Sequence, residues 1–237
     1  MGLWIKKKSK ARVKHGQSEI VVANNPTSIV AEQFRTIRTN IQFSMVDRQL
    51  KTLNVTSAGP SSGKSVLAAN LAAAFANDGK KVLLVDADMR RPTVHKVLQK
   101  ANGKGLSHLL TDRQLSLNEV IQLSDIPNLY YLTCGVIPPN PSELLSTTRM
   151  VDTMDQLKQV FDLIIFDNPP VLSVTDAQIM STQTDGTIFV IPYGQARKDE
   201  VKKAAKLLEQ VNANVLGAVM NFVDKQDDHY YYYGEAK

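Results

Sequence analysis

Residues 58–65, Ala58-Gly59-Pro60-Ser61-Ser62-Gly63-Lys64-Ser65, have the composition and spacing of a turn that holds phosphate. Successive backbone N–H groups in such a turn converge on an anion, and the start of the helix behind them adds partial positive charge. Lys64 is placed to reach the β- and γ-phosphates, and the Ser65 hydroxyl to ligate magnesium. Ala58 stands where the strictest form of the pattern has glycine. Further along, Asp86 and Asp88 follow one apolar run and Asp167 follows another. Three carboxylates beside a phosphate turn suit a hydrated Mg2+ ion. Taken singly, each aspartate is equally well read as a turn former or helix cap. Taken with Lys64, they describe a nucleoside triphosphate site.

These groups meet only if particular elements carry them. Residues 53–56 should form a strand running into the turn, with a helix from residue 66 behind it. The short apolar runs 81–85 and 163–166 read as parallel strands buried on both faces. Ligands bind beyond the carboxyl ends of such strands, so Asp86, Asp88 and Asp167 point toward the phosphate turn. Further strands are expected over 128–133, 186–191 and 214–220. Helices are expected over 28–43, 94–98, 106–110, 117–123, 147–160 and 198–210, with another from residue 143 capped by Ser142. Alternating strands and helices make an α/β fold: a doubly wound, mainly parallel sheet with helices on both faces. The chain then divides into a basic N-terminal arm (1–25), one domain (26–223) and a tyrosine-rich C-terminal tail (224–237).

In the first long helix Val30, Phe34, Ile37 and Ile41 share a face, with Thr27 or Ser28 as the cap. Glu32, Arg35 and Arg38 recur at three-residue steps on a neighbouring face. They form either an intrahelical pair or a charge row between subunits, and spacing alone does not separate the two.

The 237 residues carry a net charge of +5. The arm explains it: Lys6, Lys7, Lys8, Lys10, Arg12 and Lys14 fall within 18 residues that contain no acid. Without those six, 22 basic residues face 23 acidic ones. A neutral body does not read as a nucleic-acid binder, and the arm suits either anionic lipid or an acidic partner, or serves as a solubilising tail. No apolar run reaches the roughly 18 residues of a membrane span. The single cysteine, Cys134, excludes an internal disulfide and fits a reducing cytoplasm.

The tail places Tyr230, Tyr231, Tyr232 and Tyr233 in a row within an acidic, polar stretch that lacks large aliphatic residues. A buried strand would need apolar partners on its face, and none is supplied. Phenols displayed beside a triphosphate site are candidate phosphate acceptors.

Taken together, these features resemble the bacterial tyrosine kinases of the capsule-synthesis type, the CpsD/CapB-like BY-kinases. The resemblance rests on the Walker A turn 58–65, the Walker A′ segment 82–92 and the Walker B segment 164–167. It also rests on Pro138-Pro139-Asn140-Pro141-Ser142-Glu143-Leu144-Leu145, the row Glu32/Arg35/Arg38 and the cluster Tyr230 to Tyr233. Asn168 departs from it, standing where threonine is frequent. The resemblance implies an ATP- and Mg2+-dependent kinase that phosphorylates its own tyrosine cluster in trans. It further implies a homo-octameric ring closed through Glu32, Arg35 and Arg38. A membrane-anchored modulator would recruit the chain to the inner face of the membrane, and the output would be control of capsule or exopolysaccharide synthesis.

In that picture Lys64 and the turn amides neutralise phosphate, Ser65 ligates the metal directly, and Asp88 and Asp167 act through water. Asp86 is either the acceptor of the tyrosine proton or a further metal ligand. Arg90 is a candidate to hold the acceptor loop or phosphate charge, and Asn221 a candidate to read adenine. The rival reading is a MinD/ParA-type ATPase switch, which shares the fold and both Walker segments. Its signature lysine directly after the first small residue of the turn is replaced here by Gly59.

Overall fold

The computed structural model describes residues 20–45 and 49–223. Seven strands form one sheet: β1 (Thr52–Ser57), β2 (Val82–Asp86), β3 (Gln122–Leu123), β4 (Leu129–Leu132), β5 (Leu163–Asp167), β6 (Gly186–Pro192) and β7 (Val215–Asn221). Their spatial order is β3-β4-β2-β5-β1-β6-β7. All pairings are parallel except that of the short edge strand β3 with β4.

The helices are α1 (Val21–Asn24), α2 (Ile29–Phe43), α3 (Lys64–Asn77), α4 (Val94–Val97), α5 (Leu106–Thr111), α6 (Leu117–Val120), α7 (Pro141–Leu145), α8 (Thr148–Val160), α9 (Asp176–Gln183) and α10 (Lys198–Gln210). They cover both faces of the sheet. The period-two alternation of the strands divides the core accordingly. Leu163 and Ile165 of β5, with Leu53 and Val55 of β1, pack under α3. Ile164 and Phe166 face the opposite cluster, which includes Leu157 of α8, Leu106 of α5 and Met180 of α9. Helix α3 is alanine-rich, and Ala68, Ala69, Ala72 and Ala73 are wholly buried. Small side chains let this helix lie close on the central strands, so the phosphate turn that precedes it has a rigid base.

Several sequence expectations change in detail. The helix expected over 117–123 ends at Val120, and Gln122 and Leu123 instead pair with Tyr131 and Tyr130. The Tyr131 hydroxyl donates to Gln122 Oε1 at 2.7 Å and holds this edge. Ser142 does not cap α7. Asn140 occupies the cap position, Pro141 opens the helix without needing a partner for an N–H, and Ser142 turns its hydroxyl to Asp176. Helix α9 was not anticipated, because its polar sequence lacks a clear apolar stripe. In α2 the cap is Ser28, and Ala31 is buried while Val30 stays 37% exposed.

The basic arm was expected to run to about residue 25, but its last residues belong to the domain. Ile20 and Val22 are buried in the core cluster beneath α3. The Val22 N–H donates to Oδ1 of Asn70, whose own amide donates to the Val66 carbonyl within α3. Asn70 is thus a buried polar tie between α1 and the helix behind the phosphate turn. Asn70→Ala removes the acceptor of a buried N–H and should cost about 1–3 kcal/mol. The expected reading is a lower urea midpoint with an unchanged denaturant slope.

Candidate active site

The phosphate turn leaves β1 and enters α3 at Gly63, whose φ is +80°. Only glycine adopts this conformation freely, and the space is also closed, since a Cβ there would run into the Asn221 amide. Asn221, the last residue of β7, donates from Nδ2 to the Ser62 carbonyl at 2.9 Å and accepts from the Phe222 N–H at 3.0 Å. It therefore ties the last strand to the turn.

Strands β2 and β5 are neighbours in register, with Asp86 opposite Asp167. Asp86 and Asp167 are fully buried and Asp88 is nearly so. The turn faces them across a short gap. Lys64 Nζ lies 3.0 Å from Asp88 Oδ2 and 3.2 Å from Asp167 Oδ1. The structure thus brings Lys64, Ser65, Asp86, Asp88 and Asp167 together, as their positions after core strands anticipated.

The electrostatics follow from crowding. Burial works against the Lys64 charge, but Asp167 and Asp88 outweigh it and raise the ammonium pKa. Burial also raises the Asp86 carboxyl well above the usual carboxylate range, and the Asp167 charge adds to the effect. Asp167 is raised as well, chiefly by burial, with Lys64 and the Ser65 hydroxyl acting in the opposite direction. Two oxygens, Asp86 Oδ1 and Asp167 Oδ2, are buried with no hydrogen-bond partner. The other oxygen of Asp86 accepts from the Thr93 and Val94 N–H groups, both at 2.9 Å.

A hard divalent cation fits this donor set. Carboxylate and hydroxyl oxygens are its preferred ligands, and the two unpartnered oxygens would gain from positive charge. Among the described residues no group of three or more His, Cys, Asp or Glu is arranged as a metal cage of its own. Magnesium ordinarily keeps several waters and shares phosphate oxygens with one or two protein ligands. Cys134, buried near these carboxylates, has its thiol pushed up to about 12 by burial and by Asp86 and Asp88, so it is no nucleophile.

Arg90 lies outside this gathering. Its Nε and Nη2 hold the two oxygens of buried Asp176 at 2.9 and 3.1 Å, and Nη2 also donates to Ser142 Oγ at 2.9 Å. The Arg90 and Arg91 N–H groups in turn donate to Asp88 Oδ1. Arg90 thereby fastens the segment after β2 to the starts of α7 and α9. Asp176 was invisible in the sequence, since it belongs to an unrecognised helix. Asn168, next to Asp167, donates to Asn54 Oδ1 of β1 at 2.7 Å, so its side chain is spent inside the sheet.

In α2, Glu32 and Arg35 pair at 2.6 Å, while Arg38 reaches the end of α3, donating to the Ala74 carbonyl at 3.1 Å and pairing with Asp78 at 3.2 Å. Tyr230, Tyr231, Tyr232 and Tyr233 lie outside the described residues.

Lys64 is the cation that pairs with two of the buried carboxylates, Asp88 and Asp167. Lys64→Met should therefore destabilise the protein at neutral pH, by up to about 3–5 kcal/mol. Carboxyl groups whose folded pKa is raised lose stability as pH rises through that pKa. The deficit of the variant should accordingly shrink between pH 8 and pH 5, measured as the melting-temperature difference from wild type.

Comparison with known proteins bears on the same elements. Residues 50–218 match the family model described as an AAA domain. Tyrosine-protein kinase YwqD of Bacillus subtilis is 44% identical over 225 residues, 94% of each chain. The crystal structure of the chimerical protein CapA2B2 superposes with a TM-score of 0.84 at 41% identity, over 87% of this chain and 90% of that one. MinD from Pyrococcus horikoshii, a protein of the rival switch type, superposes at 0.61 and 23% identity over 72% of this chain and 69% of that one, a likeness of fold alone. With identity sustained across nearly the whole of a kinase of similar length, the chain belongs to the bacterial tyrosine-protein kinases, P-loop enzymes that transfer phosphate to tyrosine.

Proposed function

We propose that this kinase transfers the γ-phosphate of ATP to Tyr230, Tyr231, Tyr232 and Tyr233 of a neighbouring copy, with Mg2+ as cofactor. The observation that carries the reading is the contact of the Lys64 ammonium with Asp88 and Asp167 at the mouth of the phosphate turn. Phosphoryl transfer asks a protein for charge placement more than for covalent chemistry, and this cluster supplies both signs in one place.

Lys64 would leave its carboxylate partners for the β- and γ-phosphates, and the amides of residues 59–65 would line the remaining phosphate oxygens. Magnesium, when bound, would screen the phosphate charge. Ser65 would hold it directly, and Asp88 and Asp167 through water. Asp86 is the proposed acceptor of the tyrosine proton. Its Oδ1 has no partner, and its raised proton affinity suits a group that must take a proton from a phenol. Arg90, anchored to the starts of α7 and α9 through Ser142 and Asp176, is the proposed holder of the acceptor loop. Asn221 keeps one amide hydrogen for the nucleotide base.

Assembly is proposed as a homo-octameric ring using the α2 face that bears Glu32, Arg35 and Arg38. No helix among the described residues is long and apolar enough to cross a membrane. A membrane-anchored modulator is the proposed recruiter and activator, placing the kinase at the inner face of the cell membrane. The biological output would be control of capsule or exopolysaccharide synthesis.

The test mixes two variants. One keeps the active site but carries phenylalanine at 230–233; the other is Lys64→Met with its tyrosines intact, assayed below its melting temperature. With Mg·ATP and a peptide copy of the modulator's tail, mass spectrometry should find phosphate on Tyr230–Tyr233 of the Lys64→Met chain. ATP turnover with no phosphotyrosine on either chain would sink the reading.

A further inference from the structure

Thr93 stands at the cap position of α4, where a threonine hydroxyl ordinarily accepts from the first amides of its own helix. It makes no such bond. Asp86 takes the Thr93 and Val94 N–H groups instead, and the Thr93 hydroxyl donates to Ser65 Oγ at 2.6 Å. A capping residue has thus been released from capping and turned toward the phosphate turn.

The consequence lies at Ser65. A serine hydroxyl has one proton and two lone pairs. The Ser65 oxygen accepts from the Thr93 hydroxyl at 2.6 Å and, more weakly, from Lys64 Nζ at 3.5 Å. The short Thr93 bond holds the oxygen, and the long Lys64 contact leaves its second lone pair available to a cation once that lysine turns to phosphate. An unrestrained serine would populate three rotamers and compete for neighbouring backbone groups. Here the Thr93 bond restrains the hydroxyl.

We propose that Thr93 is a positioning residue, which holds the Ser65 hydroxyl oriented for the divalent cation that accompanies the nucleotide. The proposal deepens the nucleotide and metal reading of the same site and rests on it. Thr93 touches neither phosphate nor tyrosine in this assignment; it acts through Ser65. Its backbone N–H, bonded to Asp86, ties that carboxylate to the same hinge, so one residue sets two groups of the site.

The test is Mg2+-dependent binding of a fluorescent ADP derivative, measured without turnover. Wild type, Thr93→Val and Thr93→Ser are titrated with the nucleotide in EDTA and at graded free Mg2+. Valine keeps the branched shape and removes the hydroxyl. Thr93→Val should need on the order of tenfold more free Mg2+ for half-maximal enhancement, as for loss of an outer-shell partner. Its affinity in EDTA should stay within about twofold of wild type, and Thr93→Ser should restore the Mg2+ dependence. Wild-type Mg2+ dependence in Thr93→Val would overturn the proposal. So would an equal loss of affinity with and without Mg2+, which is what structural damage alone produces. If Thr93→Val does not melt like wild type, Thr93→Ala paired with Thr93→Ser carries the same comparison. A wild-type protein showing no Mg2+-dependent nucleotide binding would instead overturn the underlying reading, and the Thr93 assignment with it.

Discussion

Asp86, Asp88 and Asp167 lie buried at the ends of two adjacent strands, and Lys64 Nζ sits between two of them at 3.0 and 3.2 Å. Burying like charges so close is costly unless a cation shares the space. The fold cannot relieve the crowding by moving the aspartates, because β2 and β5 are locked in register and covered on both faces. The lysine is therefore the counter-charge of the resting enzyme. In the proposed mechanism a nucleotide would draw it away, and a metal ion would take over its electrostatic task. Two arrangements of positive charge would thereby share one fixed set of carboxylates.

Much of the surrounding structure maintains that arrangement. Alanine-rich α3 seats the turn on the central strands, and Asn70 fastens α1 to the back of the same helix. Asn221 clamps the turn from the far edge of the sheet. On the other side, Arg90 and buried Asp176 hold the segment after β2, and the Arg90 and Arg91 amides steady Asp88. Arg38 closes the opposite end of α3 through Ala74 and Asp78. The α2 face proposed for assembly and the phosphate turn thus sit at the two ends of a single helix.

The sheet and the charged centre were legible in the sequence for a clear reason. Short apolar runs ending in aspartate can hardly be anything but buried parallel strands that deliver carboxylates to one edge, and the phosphate turn follows from local spacing. What stayed hidden depends on contacts distant in sequence. Asp176 and Ser142 meet Arg90 across 86 and 52 residues, and the helix bearing Asp176 has no apolar stripe to announce it. Thr93 merely precedes the helix expected over 94–98, and only the position of Asp86 shows that its hydroxyl is turned to Ser65. The edge segment 122–123 became a strand through pairing with β4, a tertiary choice that no local pattern dictates.

The central claim is that the buried carboxylates carry an unrelieved electrostatic cost for the sake of the site. The most direct test is the melting temperature of Asp86→Asn against wild type from pH 5 to pH 8.5, without nucleotide. The Asp86 pKa is raised by burial and by Asp167, so wild-type stability is lost as pH rises through that value. Asparagine can still accept the Thr93 and Val94 amides without carrying the charge. The account predicts a more stable variant at neutral pH, by at least about 1 kcal/mol or about 2–4 °C, with the advantage fading toward pH 5. A variant less stable than wild type at pH 7.5 to 8.5 would contradict it, because Asp86 would then be contributing stability as a charged group.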